Sequence, residues 1–264
     1  MTNQNIERLN SIKCFILDMD GTIYLGNRLI DGAKDFLEFL KMKGIKYLFF
    51  TNNSSKNKKD YLNKLRNFGI SVTENDIISS SDVTIDFIKK NYQNNSIYLV
   101  GTPSLINEFE ENNLMLCDKN PDIVMVGFDT TLNYEKLRLA CSFIRNGSIF
   151  IATNEDVNCP TEDGFIPDCG SICELIKKST GKEPRFIGKP NKTTHEFILS
   201  YTGFSHNEIA YVGDRLYTDI AIGNINNSIS ILVLSGETKK EDLINSKYKP
   251  DYIFNNVGDI INFL

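Results

Sequence analysis

With 264 residues, 41% hydrophobic and 24% charged, the chain has the composition of an ordinary globular protein, which excludes wholesale disorder, collagen-like repeats and disulfide scaffolds. It is too long for one small core, so two domains or one domain with a large insertion are expected. The 29 basic and 34 acidic side chains leave a formal charge of −5 with no basic cluster; neither nucleic acid nor an anionic membrane is an expected partner, and an anionic ligand needs local help.

The first thirteen residues are polar, without the apolar stretch that drives export, and no segment approaches the roughly 20 apolar residues of a spanning helix, so a cytoplasmic protein is expected. A first strand over 13–17 ends in Asp18-Met19-Asp20-Gly21-Thr22. Helix 32–43 and strand 46–50 follow, the strand ending in Thr51-Asn52-Asn53-Ser54. Helix 56–68 carries Lys56, Lys58 and Lys59, which read as a solvated face. Helices over 82–91, 103–112, 134–145 and 171–179 alternate with strands over 96–100, 123–126, 149–152 and 186–187. The last of these strands runs into Gly188-Lys189-Pro190. Helix 192–201, strand 209–212 with Gly213-Asp214-Arg215-Leu216-Tyr217-Thr218-Asp219 at its end, a short helix over 219–223 and strand 229–234 complete the pattern. Such alternation predicts an α/β fold with a mainly parallel sheet, and the absence of a low-complexity linker means that a second domain is inserted or tightly packed. Six scattered cysteines without a C-x-x-C pair predict reduced thiols, and His195 and His206 read as exposed or capping groups near helix ends.

Ligands of open parallel sheets sit at the carboxyl ends of the strands, where Asp18, Asp20 and Asp214 are expected to converge. Three carboxylates there would repel one another unless a cation lies between them, and an all-oxygen set suits Mg²⁺. Lys189 adds a fixed positive charge, while Thr51, Asn52 and Asn53 can donate to an oxyanion, so the set describes a phosphate site. Asp18 can then attack phosphorus while Asp20 serves the leaving oxygen and water as general acid and base. Taken singly, D-x-D-G-T reads also as an Asx turn and T-N-N as a helix cap.

D-x-D-G-T after an apolar strand, followed in order by T-N-N, G-K-P and V-G-D-R-x-x-T-D, resembles the haloacid dehalogenase superfamily of phosphatases over nearly the whole chain. Thr51 to Ser55, Gly127 to Thr131 and Ala152 through Gly164 and Pro167 are similar to the NagD and para-nitrophenyl phosphatase branch, to which pyridoxal and phosphoglycolate phosphatases also belong. The resemblance implies Asp18 as nucleophile and metal ligand, and Asp20 as acid/base that also meets the metal through its backbone carbonyl. It implies Asp214 as the third metal carboxylate and Asp219 as a carboxylate behind it, holding metal-bound water or orienting Lys189. Thr51, Asn52, Asn53 and Lys189 would bind the phosphoryl group. Tyr24 to Leu29 looks like a flap hairpin, with Gly26-Asn27 a suitable two-residue turn. The implied architecture is a discontinuous Rossmann-like core, 1–79 and 186–264, with helices on both faces and an α/β cap of the C2a type inserted over 80–185. A loop from Asn154 to Gly170 would read the leaving group through Asn154, Asp156 and Cys159; a pyridoxal phosphatase would carry a histidine near Cys159. Cap-to-cap homodimers are compatible with the resemblance.

The expected activity is Mg²⁺-dependent hydrolysis of small phosphorylated metabolites: sugar phosphates, nucleotides or phosphoglycolate. A phosphotransferase or phosphomutase would use the same aspartyl-phosphate but pass it to a sugar. A phospho-sensing receiver domain combines similar residues, but such domains are far shorter and keep the acceptor apart from the acidic pair. No G-x-G-x-x-G follows the first strand, which argues against a dinucleotide enzyme.

Overall fold

The computed structural model describes residues 3–161 and 164–264. In chain order these form α1 (Asn3–Asn10), β1 (Cys14–Leu17), β2 (Tyr24–Leu25), β3 (Arg28–Leu29), α2 (Ala33–Met42), β4 (Lys46–Thr51), α3 (Lys58–Asn67), β5 (Ile77–Ser79) and α4 (Ser80–Asn91). Then come β6 (Ile97–Val100), α5 (Pro103–Glu111), β7 (Ile123–Val126), α6 (Tyr134–Arg145), β8 (Ile149–Ala152), β9 (Asn158–Thr161), β10 (Gly164–Pro167) and α7 (Cys169–Thr180). The chain ends through β11 (Arg185–Phe186), α8 (Lys192–Thr202), β12 (Ile209–Gly213), a π-helical turn at Leu216–Ile220, α9 (Ala221–Asn226), β13 (Ile229–Val233), α10 (Asp242–Asn245), β14 (Tyr252–Phe254) and a 3-10 helix at Val257–Phe263. Among the described residues, no helix is long and apolar enough to cross a membrane.

The chain divides into two compact units: residues 1–51, 64–78 and 189–264, and residues 52–63 with 79–188. In the first, six strands lie in the order β14-β13-β12-β1-β4-β5. The central β1 pairs in parallel with β12 from Cys14↔Ile209 to Leu17↔Val212, and with β4 from Cys14↔Lys46 to Leu17↔Phe49. All four β1 residues are buried, as a strand covered on both faces requires, and that is why it reads as an unbroken apolar run. Helix α2 buries Ala33, Phe36, Leu37 and Leu40, one face at i, i+3, i+4 and i+7, and Phe36 meets Phe15 of β1 edge-on with ring centroids 5.5 Å apart. Burial of each large side chain of this kind stabilises the fold by about 1.5–3 kcal/mol. Tyr24↔Leu29 and Leu25↔Arg28 pair as the predicted hairpin, whose turn uses Gly26 at φ +56°.

The second unit has its own parallel sheet in the order β11-β8-β7-β6, registered Ile97↔Ile123, Ile123↔Ile149 and Ile151↔Arg185. Residues from α6 and α7, including Phe143, Ile144, Ile172 and Ile176, close its core over Val124, Val126 and Phe150. β9 and β10 form a separate antiparallel pair within the predicted specificity loop; Glu162 and Asp163 of that loop, like Met1 and Thr2, lie outside the described residues.

The eight expected strands are present to within one or two residues at each end. Helix α4 starts at Ser80 rather than 82 because Ser79 caps it: its Oγ accepts from Asp82 N at 3.2 Å, and Asp82 Oδ2 accepts from Ser79 N at 2.8 Å. The helix expected over 219–223 is instead the π-helical turn running into α9, because Asp219 N and Ile220 N both donate back to Arg215 O, at 3.1 and 3.2 Å. His195 is buried rather than exposed, with Nδ1 2.8 Å from Tyr211 Oη, and burial pulls its pKa down to about 4. The cysteines are all free thiols.

Candidate active site

Within the first unit, Asp18 N donates to Val212 O at 2.8 Å, carrying the central ladder one residue past β1 before the chain turns. The turn is built on Met19 O, which accepts from Thr22, Ile23 and Tyr24 N at 3.3, 2.9 and 3.1 Å, while Gly21 N donates to Tyr24 O at 2.8 Å. Asp18 is thereby held at the carboxyl edge of the sheet, and the exposed Asp20 is held in a bridge to Tyr24. β12 delivers Asp214 to the same edge, the π-helical turn delivers Asp219, and the segment after β11 delivers Lys189.

One carboxylate oxygen from each of Asp18, Asp214 and Asp219 lies within 4.8 Å of the others. Lys189 Nζ donates to Asp18 Oδ1 at 2.8 Å, to Asp219 Oδ1 at 2.6 Å and to Phe50 O at 3.5 Å, and the side chain is 3% exposed. Asp219 Oδ2 accepts from Arg215 N at 3.2 Å, and Asp214 Oδ2 from Glu237 N at 2.6 Å. Asp214 Oδ1 is buried without a hydrogen-bond partner among the described residues. Burial pushes the Asp18 carboxyl up to about 7, against the pull of Lys189 and with Asp219 raising it further. Burial also raises Asp214 well above the usual carboxylate range, and the charges of Asp18 and Asp219 add to the effect. Lys189, with Arg215 acting from further off, faces two buried carboxylates and the half-buried Asp18, which leaves negative charge uncompensated.

That arrangement fits a hard divalent cation: the donors are all oxygens, one of them is orphaned, and the local charge calls for a counter-ion. The Asp20 carboxylate is not in the cluster, and Asp219, expected behind the ligands, places its carboxylate among them. Thr51, the last residue of β4, is buried in the same unit.

Asn52 and Asn53 belong to the second unit. Asn52 Nδ2 donates to Asp156 Oδ1 at 3.2 Å, and Asn52 O accepts from Asn154 Nδ2 at 2.8 Å and Ser80 Oγ at 2.6 Å. Asn53 Nδ2 lies 3.7 Å from Cys159 Sγ, while its Oδ1 accepts from Ser55 N at 2.9 Å. The structure therefore gathers Asn52 and Asn53 with Asn154, Asp156 and Cys159, the three residues expected to read a leaving group. Asp129, in the G-F-D-T-T stretch, is paired to Lys136 Nζ at 2.6 Å and caps its own turn through Thr131 N at 2.8 Å.

Residues 15–115 match the haloacid dehalogenase-like hydrolase family, and residues 186–260 match a second family described as HAD-hydrolase-like. An acid sugar phosphatase of Staphylococcus aureus is 37% identical over 254 residues, covering 96% of this chain and 98% of that protein. The chain belongs to the haloacid dehalogenase-like hydrolases. The 5'-nucleotidase YutF of Bacillus subtilis is 36% identical over 256 residues, covering 97% of this chain and all of that protein. The structure of a 4-nitrophenylphosphatase from Thermotoga maritima superposes with a TM-score of 0.93 at 44% identity, covering 97% of this chain and 98% of that one. That of NagD from E. coli gives 0.87 at 33% identity, covering 94% and 98%. This member of the family is an enzyme of the phosphoric monoester hydrolase class.

Two contributions to the carboxylate cluster were not visible in its motifs. Glu237 lies 23 residues past Asp214 yet supplies the amide that orients it, and only long-range pairing information could have found it. The second is the glycine lining. A Cβ on Gly213 would come within 2.1 Å of Asp219 Cγ, and Gly21, at φ +80°, would place one 2.4 Å from Asp214 Oδ2. Since Asp219 is tied to Lys189 and Arg215 N, it has no free path away. Gly213→Ala is expected to cost about 1–3 kcal/mol in urea unfolding and to lower 4-nitrophenyl phosphate turnover at least about tenfold, because misplacing a group near the chemistry is expensive. Turnover equal to the wild type would mean that the Asp219 position is not critical.

Proposed function

We propose that this hydrolase is a Mg²⁺-dependent phosphatase of small phosphate monoesters, such as sugar phosphates, nucleotides or phosphoglycolate, working through an aspartyl-phosphate. The observation that carries the reading is the meeting of three carboxylates, two of them paired with Lys189, with Asp214 Oδ1 left unpartnered. Relatives named for acid sugar phosphatase and 5'-nucleotidase activity support the substrate class, since both names describe phosphate removed from a small molecule.

Lys189 occupies Asp18 Oδ1, and Oδ2 carries no hydrogen bond among the described residues, which makes Oδ2 the attacking atom. Asp18 Oδ2 bonds to phosphorus as the bond to the leaving oxygen breaks, and Asp20 gives that oxygen a proton. Asp20 then takes a proton from water as the water oxygen attacks phosphorus, releasing inorganic phosphate and restoring Asp18. Lys189 pulls the Asp18 carboxyl toward its ionised form, against burial, and offsets phosphoryl charge. Thr51, at the end of β4, is proposed as a donor to the phosphoryl oxygens, with Asn52 and Asn53, joined to it by peptide bonds, as further donors. Leaving-group choice is assigned to Asn154, Asp156 and Cys159. Asp18, Asp214 and the Asp20 carbonyl would hold Mg²⁺, with Asp219 beside them; when bound, the ion supplies charge neutralisation.

Metal binding has a pH signature. Asp18, raised to about 7 from 3.8, and the raised Asp214 bind protons more tightly in the folded chain than in the unfolded one. Their contribution to metal-free stability is therefore greatest at low pH and declines as pH rises from about 4 to about 7. The gain in unfolding temperature on replacing EDTA with Mg²⁺ is expected to be larger at pH 8 than at pH 5, and turnover should vanish under chelation. Activity that survives thorough chelation, or a gain that does not grow with pH, would refute the metal reading.

A further inference from the structure

We propose a second anion site at the amino-terminal edge of the core sheet, taking a small ligand with two or more phosphate groups. It goes beyond the phosphatase reading and does not depend on it. A cavity of about 360 Å³ opens there between the starts of β1 and β4, lined among others by Lys13, Lys43, Lys46, Ile45, Phe204 and the last residue, Leu264. The three lysines come from different positions: Lys13 immediately precedes β1, Lys43 follows α2, and Lys46 is the first residue of β4. Two are held together by the ladder itself, since Lys46 N donates to Lys13 O at 3.0 Å.

None of the three ammonium groups makes an ion pair or a hydrogen bond among the described residues. Lys43 and Lys46 lie over aromatic faces instead, 5.4 Å from the Phe39 ring centroid and 6.0 Å from that of Tyr201. Glu208, a carboxylate near enough to Lys13 to act on it electrostatically, already accepts from Ser205 N at 3.0 Å and Ser205 Oγ at 2.7 Å. In a chain of net charge −5, three lysines without an ion pair on one concavity form a local reversal of field. A chain of phosphates can reach three lysines that line one cavity better than a single phosphate can, and Phe204 with Ile45 offers an apolar wall for a ligand's organic part.

Lys13 and Asp18 bracket β1, and Lys46 and Thr51 bracket β4. Five residues of extended chain span about 16 Å, so the cavity and the carboxylate cluster occupy opposite ends of the same two strands. The two sites can thus be measured separately.

Calorimetric titration of the whole protein with tripolyphosphate in EDTA reads the lysine cavity, because the metal-free carboxylate cluster repels polyanions. One equivalent is expected to bind in the wild type, and Lys13→Gln/Lys43→Gln/Lys46→Gln should weaken binding at least tenfold while leaving Mg²⁺-dependent 4-nitrophenyl phosphate turnover unchanged. The corresponding triple arginine variant should retain binding. ATP titrated under the same conditions distinguishes the ligand's source: tighter binding than tripolyphosphate assigns a nucleotide, and equal binding assigns bare polyphosphate. Wild-type affinity should fall steeply between 50 and 250 mM salt. Undiminished binding by the glutamine variant, no binding by the wild type, or salt-insensitive binding would overturn the proposal.

Discussion

Asp18→Asn is expected to reduce 4-nitrophenyl phosphate turnover by on the order of 10⁴-fold or more, because a neutral amide cannot form the acyl-phosphate through which the reaction is proposed to run. The fold should survive. Asparagine keeps the shape of aspartate, and its carbonyl oxygen can still accept from Lys189 Nζ, now 2.8 Å from Asp18 Oδ1. Metal-free stability should rise rather than fall, since the substitution removes one of three neighbouring carboxylates, and the Asp18 and Asp214 pKa values are raised first by burial and further by their mutual repulsion with Asp219. Urea unfolding in EDTA at pH 8 reads this directly. The combination separates a nucleophile from a scaffold residue: a scaffold aspartate would lose stability and activity together. Turnover within tenfold of the wild type would sink the assignment of the nucleophile, as would an acid-stable phosphoenzyme formed equally by the variant.

The parts of the fold that were legible in the sequence are those whose residues answer to one environment. β1, β4, β7 and β12 are buried runs whose apolar side chains announce a covered parallel strand, and the polar residues at their ends place Asp18, Thr51 and Asp214 at the carboxyl edge. β5 and β14 were not legible because three residues carry too little periodicity. β9 and β10 have no buried face, and Pro160 argues locally against a strand. At the site, spacing alone could not bring Asp219 into the carboxylate group; the π-helical turn at Leu216–Ile220 does so by changing the angular step between residues. The asparagines after Thr51 could be named as oxyanion donors, but not their partners Asp156 and Asn154, which lie some hundred residues away. Hydrogen bonds across such distances follow from the fold and leave no local pattern.

Lys189→Met is expected to be the most destabilising single change in the site, by about 3–5 kcal/mol, because it strands buried carboxylates without their cation. Burial by itself would pull the Lys189 ammonium down, but the charges of Asp18 and Asp219 outweigh it and hold the pKa above the ordinary lysine value. A basic group raised on folding contributes its stability in full below its unfolded value near 10.5 and loses it only as pH climbs through the higher folded value, so the pairing is complete at any working pH. Methionine fills the aliphatic volume beside Phe50, over whose ring Lys189 Nζ lies at 5.0 Å, and so removes charge without opening a large cavity. The loss should be larger at pH 8 than at pH 5, since protonation of the stranded carboxyls relieves it. Combining Lys189→Met with Asp219→Asn should recover at least half of the stability, because the double variant removes both ends of the 2.6 Å pair. Turnover should stay low in both, since neither restores a positive charge beside Asp18. Denaturation midpoints for the four proteins at the two pH values close the cycle. A single variant as stable as the wild type would show that the carboxylates are not held by Lys189, and additivity in the double variant would show that Lys189 and Asp219 do not act on each other.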